Sequence, residues 1–285
     1  MTDLSAYITR KPHLAVPPKS CECHSHIFGP EAKYPVAPGD GRNRHGEVSV
    51  AQYTDLLGRL GIERGVIVQP ATYGTDNRCT VDAIAEMGLH RTRGIAVCAP
   101  SVGKDELRRL NAAGIRGIRV ASPAIDTSFD EAATMAPRLA DLGWHIQMSG
   151  ADALPWLAAA RPLPVPVIVD HLARLPVNLN LNAKPFTTML RLLETGNVWI
   201  KISGPYYGSA AGAPYADVIP RISALARHRP DRLVWALNWP HPSIPMDAKP
   251  CAADCLDILE YAVPDANTRK LILADNPAKL YGFPD

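Results

Sequence analysis

The sequence predicts a closed (β/α)8 barrel, and three observations support this fold class. Eight short apolar segments recur along the 285 residues, and most are rich in Val and Ile with little polar alternation, as in strands buried on both faces. Amphipathic segments with apolar residues at helical spacing separate them, and this alternation is typical of a parallel sheet. The length suits one barrel, and no glycine-rich GxGxxG motif follows the first segment, which disfavours a dinucleotide-binding open sheet.

The predicted strands and helices alternate along the whole chain. Several strands begin at or just after a glycine, as expected where a helix turns into the next strand. The predicted strands cover residues 21–27, 65–70, 94–99, 114–120, 144–148, 166–171, 198–203 and 233–238. The predicted helices cover residues 50–60, 79–88, 105–113, 130–142, 184–193, 215–227 and 251–261.

Two segments lie outside this repeat. Residues 1–20 are rich in proline and are predicted to form an N-terminal arm that precedes a barrel domain at residues 21–285. Residues 28–48 form a long loop with several Pro and Gly residues after the first strand. Because the active sites of such barrels lie at the carboxyl ends of the strands, we expect this loop to act as a lid or to contact substrate.

The composition is that of an ordinary globular protein. Hydrophobic residues make up 47% and charged residues 20%, and the net charge is only +2, so we expect a small-molecule partner and no nucleic acid. No segment approaches the roughly 18 apolar residues of a membrane span, so we expect no membrane association. The six cysteines form no CxxC pair and the N-terminus lacks a signal-peptide pattern. These features predict reduced, mostly buried thiols in a cytoplasmic protein, which leaves a homo-oligomer open.

Histidines at the predicted strand ends are the first candidates for an active site. His24 and His26 project from one face of the first strand, because residues two apart in a strand share a face. His171 ends the sixth strand, so a closed barrel brings three imidazoles to one axis. A single strand-end histidine is more often structural, but the convergence of three favours a functional site. The histidines that we interpret as peripheral are His13, His90, His145 and His228.

Other polar side chains follow the same rule. Arg119 ends the fourth strand and Arg174 follows the sixth, and both favour an anionic substrate, although surface ion pairs would explain them as well. Lys201 and Ser203 share a face of the seventh strand, and the pattern leaves open whether that face lines the barrel interior. The further substrate-binding candidates are Arg42, Gln69, Tyr73, Asn77, Tyr206, Tyr207 and His241.

Several motifs together resemble the amidohydrolase-2 family of the amidohydrolase superfamily. The matching segments are HSHIFGP at 24–30, VIVQ at 66–69, GTDN at 74–77, GIR at 117–119, VDH at 169–171 and WPHP at 239–242. Within the family the chain is most similar to the 2-pyrone-4,6-dicarboxylate lactonases, from about residue 20 to Tyr281. The combination of HxHxFGP with WPHP is far more specific than HxH alone.

The resemblance implies metal-independent hydrolysis of a small carboxylated lactone. In that family, histidines that match His24, His26 and His171 polarise the lactone carbonyl, and an Asp at the end of the eighth strand activates water. Arginines hold the substrate carboxylates, and Arg119 and Arg174 resemble two of them. A zinc ion on the three histidines is the alternative for the cofactor. A lactone isomerase or a non-oxidative decarboxylase is the alternative for the reaction.

The eighth strand ends in Asn238 where the family motif has Asp. An amide cannot accept a proton near neutral pH, so Asn238 cannot be the water-activating base, and it is a poor metal ligand beside neutral histidines. Two explanations are open: an engineered, inactive variant that still binds ligand, which we favour, or a protein that uses another base. A natural binding protein without turnover is a third interpretation. No second arginine follows Arg119 closely, so we expect a substrate other than the pyrone dicarboxylate.

Overall fold

The computed structural model describes residues 10–38, 46–120 and 127–284, which form a (β/α)8 barrel. Eight parallel strands are hydrogen-bonded in chain order, and the sheet closes where the backbone N–H of His26 donates to the carbonyl of Trp239 at 2.8 Å. All eight predicted strands are confirmed. The strands are β1 (Cys21–Ser25), β2 (Arg64–Val68), β3 (Thr92–Ala96), β4 (Ile115–Val120), β5 (His145–Met148), β6 (Val167–Val169), β7 (Val198–Ile202) and β8 (Leu233–Trp235).

Helices cover the outside of the sheet, and all seven predicted helices are present. The helices are α1 (Val50–Leu60), α2 (Arg78–Met87), α3 (Lys104–Ala112), α4 (Phe129–Ala140), α5 (Ala153–Ala159), α6 (Lys184–Glu194), α7 (Ile219–His228), α8 (Ala252–Ala262), α9 (Ala266–Lys270) and α10 (Asn276–Tyr281). Sequence periodicity missed α5 because this helix has only seven residues, with Pro155 among them. It also missed α9 and α10, which follow the last repeat.

The core has two apolar layers, one on each side of the sheet. The outer layer packs strand residues such as Ile118 and Ile146 against the helices. The inner layer includes Val66 and Trp199 together with Tyr281 from the C-terminal segment. Arg93, near the start of β3, donates to the carbonyl of Gly282 at 2.7 Å, so the C-terminal segment closes the amino-terminal end of the barrel. The opposite end, where the strands finish, carries the polar cluster described below.

The described part of the predicted N-terminal arm packs against α8. Arg10 contacts Asp254 and Asp257, each at 2.5 Å. The carboxylate of Asp257 also accepts the backbone N–H groups of His13 and Leu14, at 2.8 and 3.0 Å. A buried carboxylate on the helix therefore orders residues 10–14.

All six cysteines are free thiols, and five of them are buried. This agrees with the prediction that the thiols are reduced and mostly buried. Within the described ranges, no helix combines the length and the apolar character needed to cross a membrane.

Candidate active site

A β-bulge in β1 aims two histidines into the barrel. From Glu22 to Ser25 the first strand advances three residues while its partner β2 advances two. Simple alternation would put Cys23 and His24 on opposite faces, but the extra residue lets Cys23 join the inner layer while His24 and His26 both reach the polar cluster. The bulge therefore sets the direction of both imidazoles.

The carboxylate of Glu22 holds this bulge together. One oxygen accepts the backbone N–H groups of His24 at 2.9 Å and of Leu237 at 2.7 Å. The other accepts the hydroxyls of Ser25 at 2.5 Å and of Tyr53 at 2.7 Å. Burial raises the pKa of Glu22, while these four donors act in the opposite direction. Glu22 thus connects β1, the end of β8 and helix α1 behind the histidines.

The three predicted imidazoles meet in one buried cluster. The ring centroid of His24 lies 5.0 Å from that of His26 and 4.8 Å from that of His171. Burial, followed by the Arg119 guanidinium, lowers the pKa of His26 to about 3. Burial is also the largest cause that lowers the pKa values of His24 and His171. All three rings are therefore neutral around pH 7 and can act as hydrogen-bond donors or acceptors.

A buried ion pair lies beneath the cluster. Lys201 is 0% exposed, and its ammonium lies 3.1 Å from Asp170 Oδ1 and 3.2 Å from His24 Nδ1. Gln147 links the two charges, since its Oε1 accepts from Lys201 at 2.8 Å and its Nε2 donates to Asp170 at 2.9 Å. Burial acts to raise the pKa of Asp170, but Lys201, His171 and Arg119 together bring it below its ordinary value. The face of β7 that the pattern left open therefore lines the interior.

His171 begins a left-handed turn directly after β6. The φ angles of residues 171, 172, 173 and 174 are 54°, 52°, 56° and 53°. Each non-glycine residue in this conformation is disfavoured by about 1–2 kcal/mol, and such strain persists where the surrounding structure enforces it. Here Ser203 Oγ lies 2.7 Å from His171 Nδ1, and the Arg174 guanidinium lies 4.4 Å above the Tyr207 ring. Within four residues, the turn places the His171 imidazole inside the barrel and the Arg174 side chain at its exposed mouth.

Two of the three predicted arginines, Arg119 and Arg174, lie at different depths in the site. Arg119 is only 8% exposed, its Nε has no hydrogen-bond partner, and Nη1 makes one long contact of 3.5 Å to the carbonyl of Gln69. In the part of the chain that the structure describes, no carboxylate pairs with it at ion-pair distance. Arg174 is exposed at the mouth. The third predicted arginine, Arg42, lies outside the described residues.

Asn238 lies at the end of β8 and donates to two tyrosines. Its Nδ2 lies 2.9 Å from the hydroxyl of Tyr206 and 3.1 Å from that of Tyr207. The Tyr206 hydroxyl also lies 3.1 Å from His241 Nδ1, and Tyr207 donates to Ser243 at 3.0 Å. Burial, with the nearby Lys249, lowers the pKa of His241 to about 3. The predicted residues 206, 207, 238 and 241 thus form one network at the edge of the cluster.

Three other predicted substrate-binding side chains form contacts within the protein, and their role toward a substrate stays a prediction. Both amide atoms of Gln69 are bonded, to the carbonyls of Gly74 and Asp76 and to the Thr80 hydroxyl. The Asn77 amide bonds the backbone of residues 75 and 97. Tyr73 is buried beside Cys79, and burial raises its pKa. The amides of Gln69 and Asn77 therefore hold the loop after β2.

The positive charge beside the histidines disfavours a divalent metal at this site. The histidines proposed as zinc ligands do not form the closest group in the described residues, where the candidate ligand atoms of His24, Asp170 and His171 lie within 4.8 Å of one another. The Lys201 ammonium already contacts two of these three residues. A dication there would meet a fixed positive charge and would lose the Nδ1 atom of His24 as a ligand.

Sequence patterns assigned no role to four polar residues that build this site, although Lys201 was named as a residue whose strand face stayed open. They are Glu22, Gln147, Asp170 and Lys201, all 0% exposed. The available signal was a charged or amide residue inside an otherwise apolar strand, as in the VWIKI of β7 and the HIQM of β5. The interpretation of His145 as peripheral is wrong, because this residue is buried inside β5 against Tyr281.

A family comparison agrees with this fold. The model of the amidohydrolase-2 family, described as amidohydrolase, matches residues 21–283. The chain therefore belongs to this family.

Three curated relatives are lactone enzymes by name. A 2-pyrone-4,6-dicarboxylate hydrolase of Comamonas testosteroni is 34% identical over 95% of this chain and 92% of its own length. A 4-sulfomuconolactone hydrolase of Rhizobium radiobacter is 37% identical over 94% and 91%. A D-galactarolactone isomerase of Agrobacterium fabrum is 29% identical over 95% and 93%. Among solved structures, an apo protein of Agrobacterium tumefaciens superposes with a TM-score of 0.87 at 27% identity, covering 97% of this chain and 98% of its own.

Proposed function

We propose that the protein hydrolyses a small lactone that carries at least one carboxylate, without a divalent metal. The observation that carries this proposal is the buried Arg119 guanidinium, which lacks a carboxylate partner in the described chain, beside three neutral imidazoles. A buried, unpaired guanidinium is unfavourable unless a ligand supplies the anion. Arg119 within the barrel and Arg174 at the mouth together favour an anionic substrate.

The imidazoles supply both chemical functions that ester hydrolysis needs. Nδ1 of His26 lies 2.8 Å from the carbonyl of Val68, and a carbonyl only accepts, so Nδ1 carries the ring proton and Nε2 carries a lone pair. Water attacks the lactone carbonyl carbon and gives a proton to this lone pair, which becomes more basic when a substrate carboxylate offsets the charge of Arg119, the second cause that lowers the pKa of His26. An imidazole N–H of the cluster stabilises the oxyanion. The ring C–O bond then breaks, and the leaving oxygen takes the proton back from His26, which gives a hydroxy acid.

Asn238 fits this site as an amide. Tyr206 and Tyr207 each have a further partner that can accept their hydroxyl protons, namely His241 and Ser243, so both hydroxyl oxygens can accept from Nδ2. This arrangement is compatible with Asn238 as the natural residue, the alternative to the engineered replacement that the motif alone favoured. In the proposed reaction Asn238 orients the tyrosines and the water, and His26 accepts the proton.

A titration of acid release with a pH-stat tests the proposal. The wild-type protein is assayed with a carboxylated lactone and with the matching lactone that lacks the carboxylate, with and without a chelator. We expect turnover of the carboxylated lactone that the chelator does not change. Arg119→Met is expected to lower its kcat/KM by about 100- to 1,000-fold, as for loss of a buried charge-assisted pair, and to leave the neutral lactone nearly unchanged.

Arg116→Met is the matched control, because Arg116 lies on the same strand but bonds the backbone carbonyls of residues 111 and 115 and lies beside Gly282, at the amino-terminal end of the barrel. It is expected to behave as wild type on both lactones. Equal loss in the two variants, or the same rate for both lactones, would contradict the proposal.

The amide at position 238 also favours a second candidate, a lactone isomerase. In an isomerase a hydroxyl of the substrate attacks the carbonyl, so no base is needed to activate bulk water. The similarity to the named isomerase at 29% identity supports this alternative. Reaction in oxygen-18 water separates the two, because hydrolysis incorporates one labelled oxygen into the product and isomerisation incorporates none.

A further inference from the structure

The ammonium of Lys201 contacts Nδ1 of His24. The protonation of this atom determines whether the other ring nitrogen, Nε2, is a hydrogen-bond donor or an acceptor. Three protein groups surround this ammonium: Gln147 Oε1 at 2.8 Å, Asp170 Oδ1 at 3.1 Å and His24 Nδ1 at 3.2 Å. Both His24 and Lys201 are 0% exposed, so water does not compete for these contacts. An ion pair without solvent is unfavourable unless its geometry is satisfied by further hydrogen bonds.

An ammonium has only donors, which fixes the direction of the bond to His24. Nδ1 must accept from Lys201, so the ring proton of neutral His24 is on Nε2. Asp170 Oδ1 also lies 3.4 Å from Nδ1, but this oxygen is already paired with the Lys201 ammonium at 3.1 Å. Gln147 holds the ammonium in this orientation, since its amide nitrogen is already bonded to Asp170.

His24 Nε2 is buried and has no hydrogen-bond partner among the described residues. In the tautomer that Lys201 enforces, this atom is an unused N–H donor that lies among His26 and His171. His26 has the opposite arrangement, because its Nδ1–H donates to the Val68 carbonyl and its Nε2 is the acceptor. Two histidines on one strand therefore present one donor and one acceptor.

We infer that Lys201 is a positioning residue that holds His24 as the Nε2–H tautomer, so that His24 donates to the carbonyl oxygen of the substrate while His26 accepts the proton of the nucleophile. The catalytic part of this inference rests on the proposed function, whereas the tautomer is a property of the unliganded protein. Lys201 acts through His24 and does not touch the substrate.

Nitrogen-15 NMR of the wild-type protein, labelled at histidine, tests the tautomer directly. The protonated and unprotonated nitrogens of a neutral imidazole resonate far apart, and His24→Gln and His26→Gln assign the signals by deleting one set each. We expect His24 protonated at Nε2 and His26 protonated at Nδ1 in the same sample. A His24 ring protonated at Nδ1, bonded to Asp170, would overturn the inference even if the protein hydrolyses lactones.

The variant Lys201→Met with Asp170→Asn removes the donor without leaving a lone buried charge. We expect His24 to lose its single tautomer and kcat to fall about 100- to 1,000-fold, as for loss of one oxyanion donor, with little change in KM. The matched control is Lys270→Met with Asp275→Asn, which removes an exposed Lys–Asp pair and is expected to change neither quantity.

Retained kcat with an unchanged His24 tautomer in the double variant would overturn the inference. Absence of lactone turnover in the wild type would instead contradict the proposed function and leave the tautomer result standing. If the double variant does not fold, the wild-type spectrum alone decides.

Discussion

The carboxylate of Glu22 accepts the backbone N–H of Leu237 at 2.7 Å, a bond that joins the first strand to the chain just beyond the eighth. The same oxygen accepts the N–H of His24, and the neighbouring oxygen accepts Ser25 and Tyr53. This side chain therefore adds to the backbone hydrogen bonds that close the barrel, at the place where the β1 bulge leaves the regular ladder. Glu22 thus supports both the closure of the barrel and the direction of His24.

Replacing Glu22 is expected to affect stability and catalysis together. In Glu22→Ala two buried N–H groups lose their acceptor, so we expect a loss of about 4 kcal/mol in the free energy of unfolding and a large fall in kcat. In Glu22→Gln the amide oxygen can still accept both N–H groups, while the hydroxyls of Ser25 and Tyr53 can turn to accept from the amide nitrogen. We therefore expect a loss of only about 1–2 kcal/mol for Gln.

Urea unfolding followed by tryptophan fluorescence, combined with kcat on a carboxylated lactone, checks this pair of variants. Equal effects of Ala and Gln would show that the charge of Glu22, and not its hydrogen bonds, holds the bulge.

Acid is expected to unfold this protein steeply. Burial lowers the pKa values of His26, His145 and His241 to about 3 and those of His24 and His171 well below their ordinary value. In the unfolded chain histidine titrates near 6.5, so between about pH 6.5 and 3 the unfolded state binds more protons than the folded state. The free energy of unfolding therefore falls as the pH falls, by up to about 1.4 kcal/mol per pH unit for each histidine.

The pH dependence of urea unfolding from about pH 7 to about pH 5.5 measures this proton uptake. The variant His145→Gln removes one of the five groups and is expected to lower the proton uptake by about one proton. Both ring nitrogens of His145 have no hydrogen-bond partner among the described residues. A wild-type slope that corresponds to fewer than two protons would contradict a set of five neutral buried histidines.

The fold could be predicted because its signals are local. Each strand is a short Val- and Ile-rich segment buried on both faces, and each long helix shows its own periodicity. The approach of His24, His26 and His171 followed from the barrel alone, since the carboxyl ends of its strands meet at one face. The short helix α5 and the two C-terminal helices gave too weak a period to be found.

The function of individual polar side chains could not be predicted in the same way. Gln69 and Asn77 follow β2 just as His171 follows β6, yet their amides bond neighbouring loops because local backbone groups need partners. Lys201 depends on Asp170 and Gln147, which come from two other strands, so no single segment contains that relationship. Residue spacing indicates a face of a strand, whereas the partner of a buried charge is a property of the assembled barrel.

Asn238→Asp is expected to convert position 238 from a donor into a base. The tyrosine hydroxyls that now accept from Nδ2 would turn to donate to the carboxylate, so the shape of the network is kept. A carboxylate beside His26 adds a second proton acceptor for water, and we expect hydrolysis of a carboxylated lactone to rise about 100-fold. KM is expected to rise as well, because the new charge repels the substrate carboxylate.

Acid release in the pH-stat, with oxygen-18 incorporation into the product, measures both the rate and the share of hydrolysis over isomerisation. Asn238→Ala, which removes the amide without adding a base, is the control and is expected to be slower than wild type; if Asp and Ala gave the same rate, the attacking water would not lie beside residue 238.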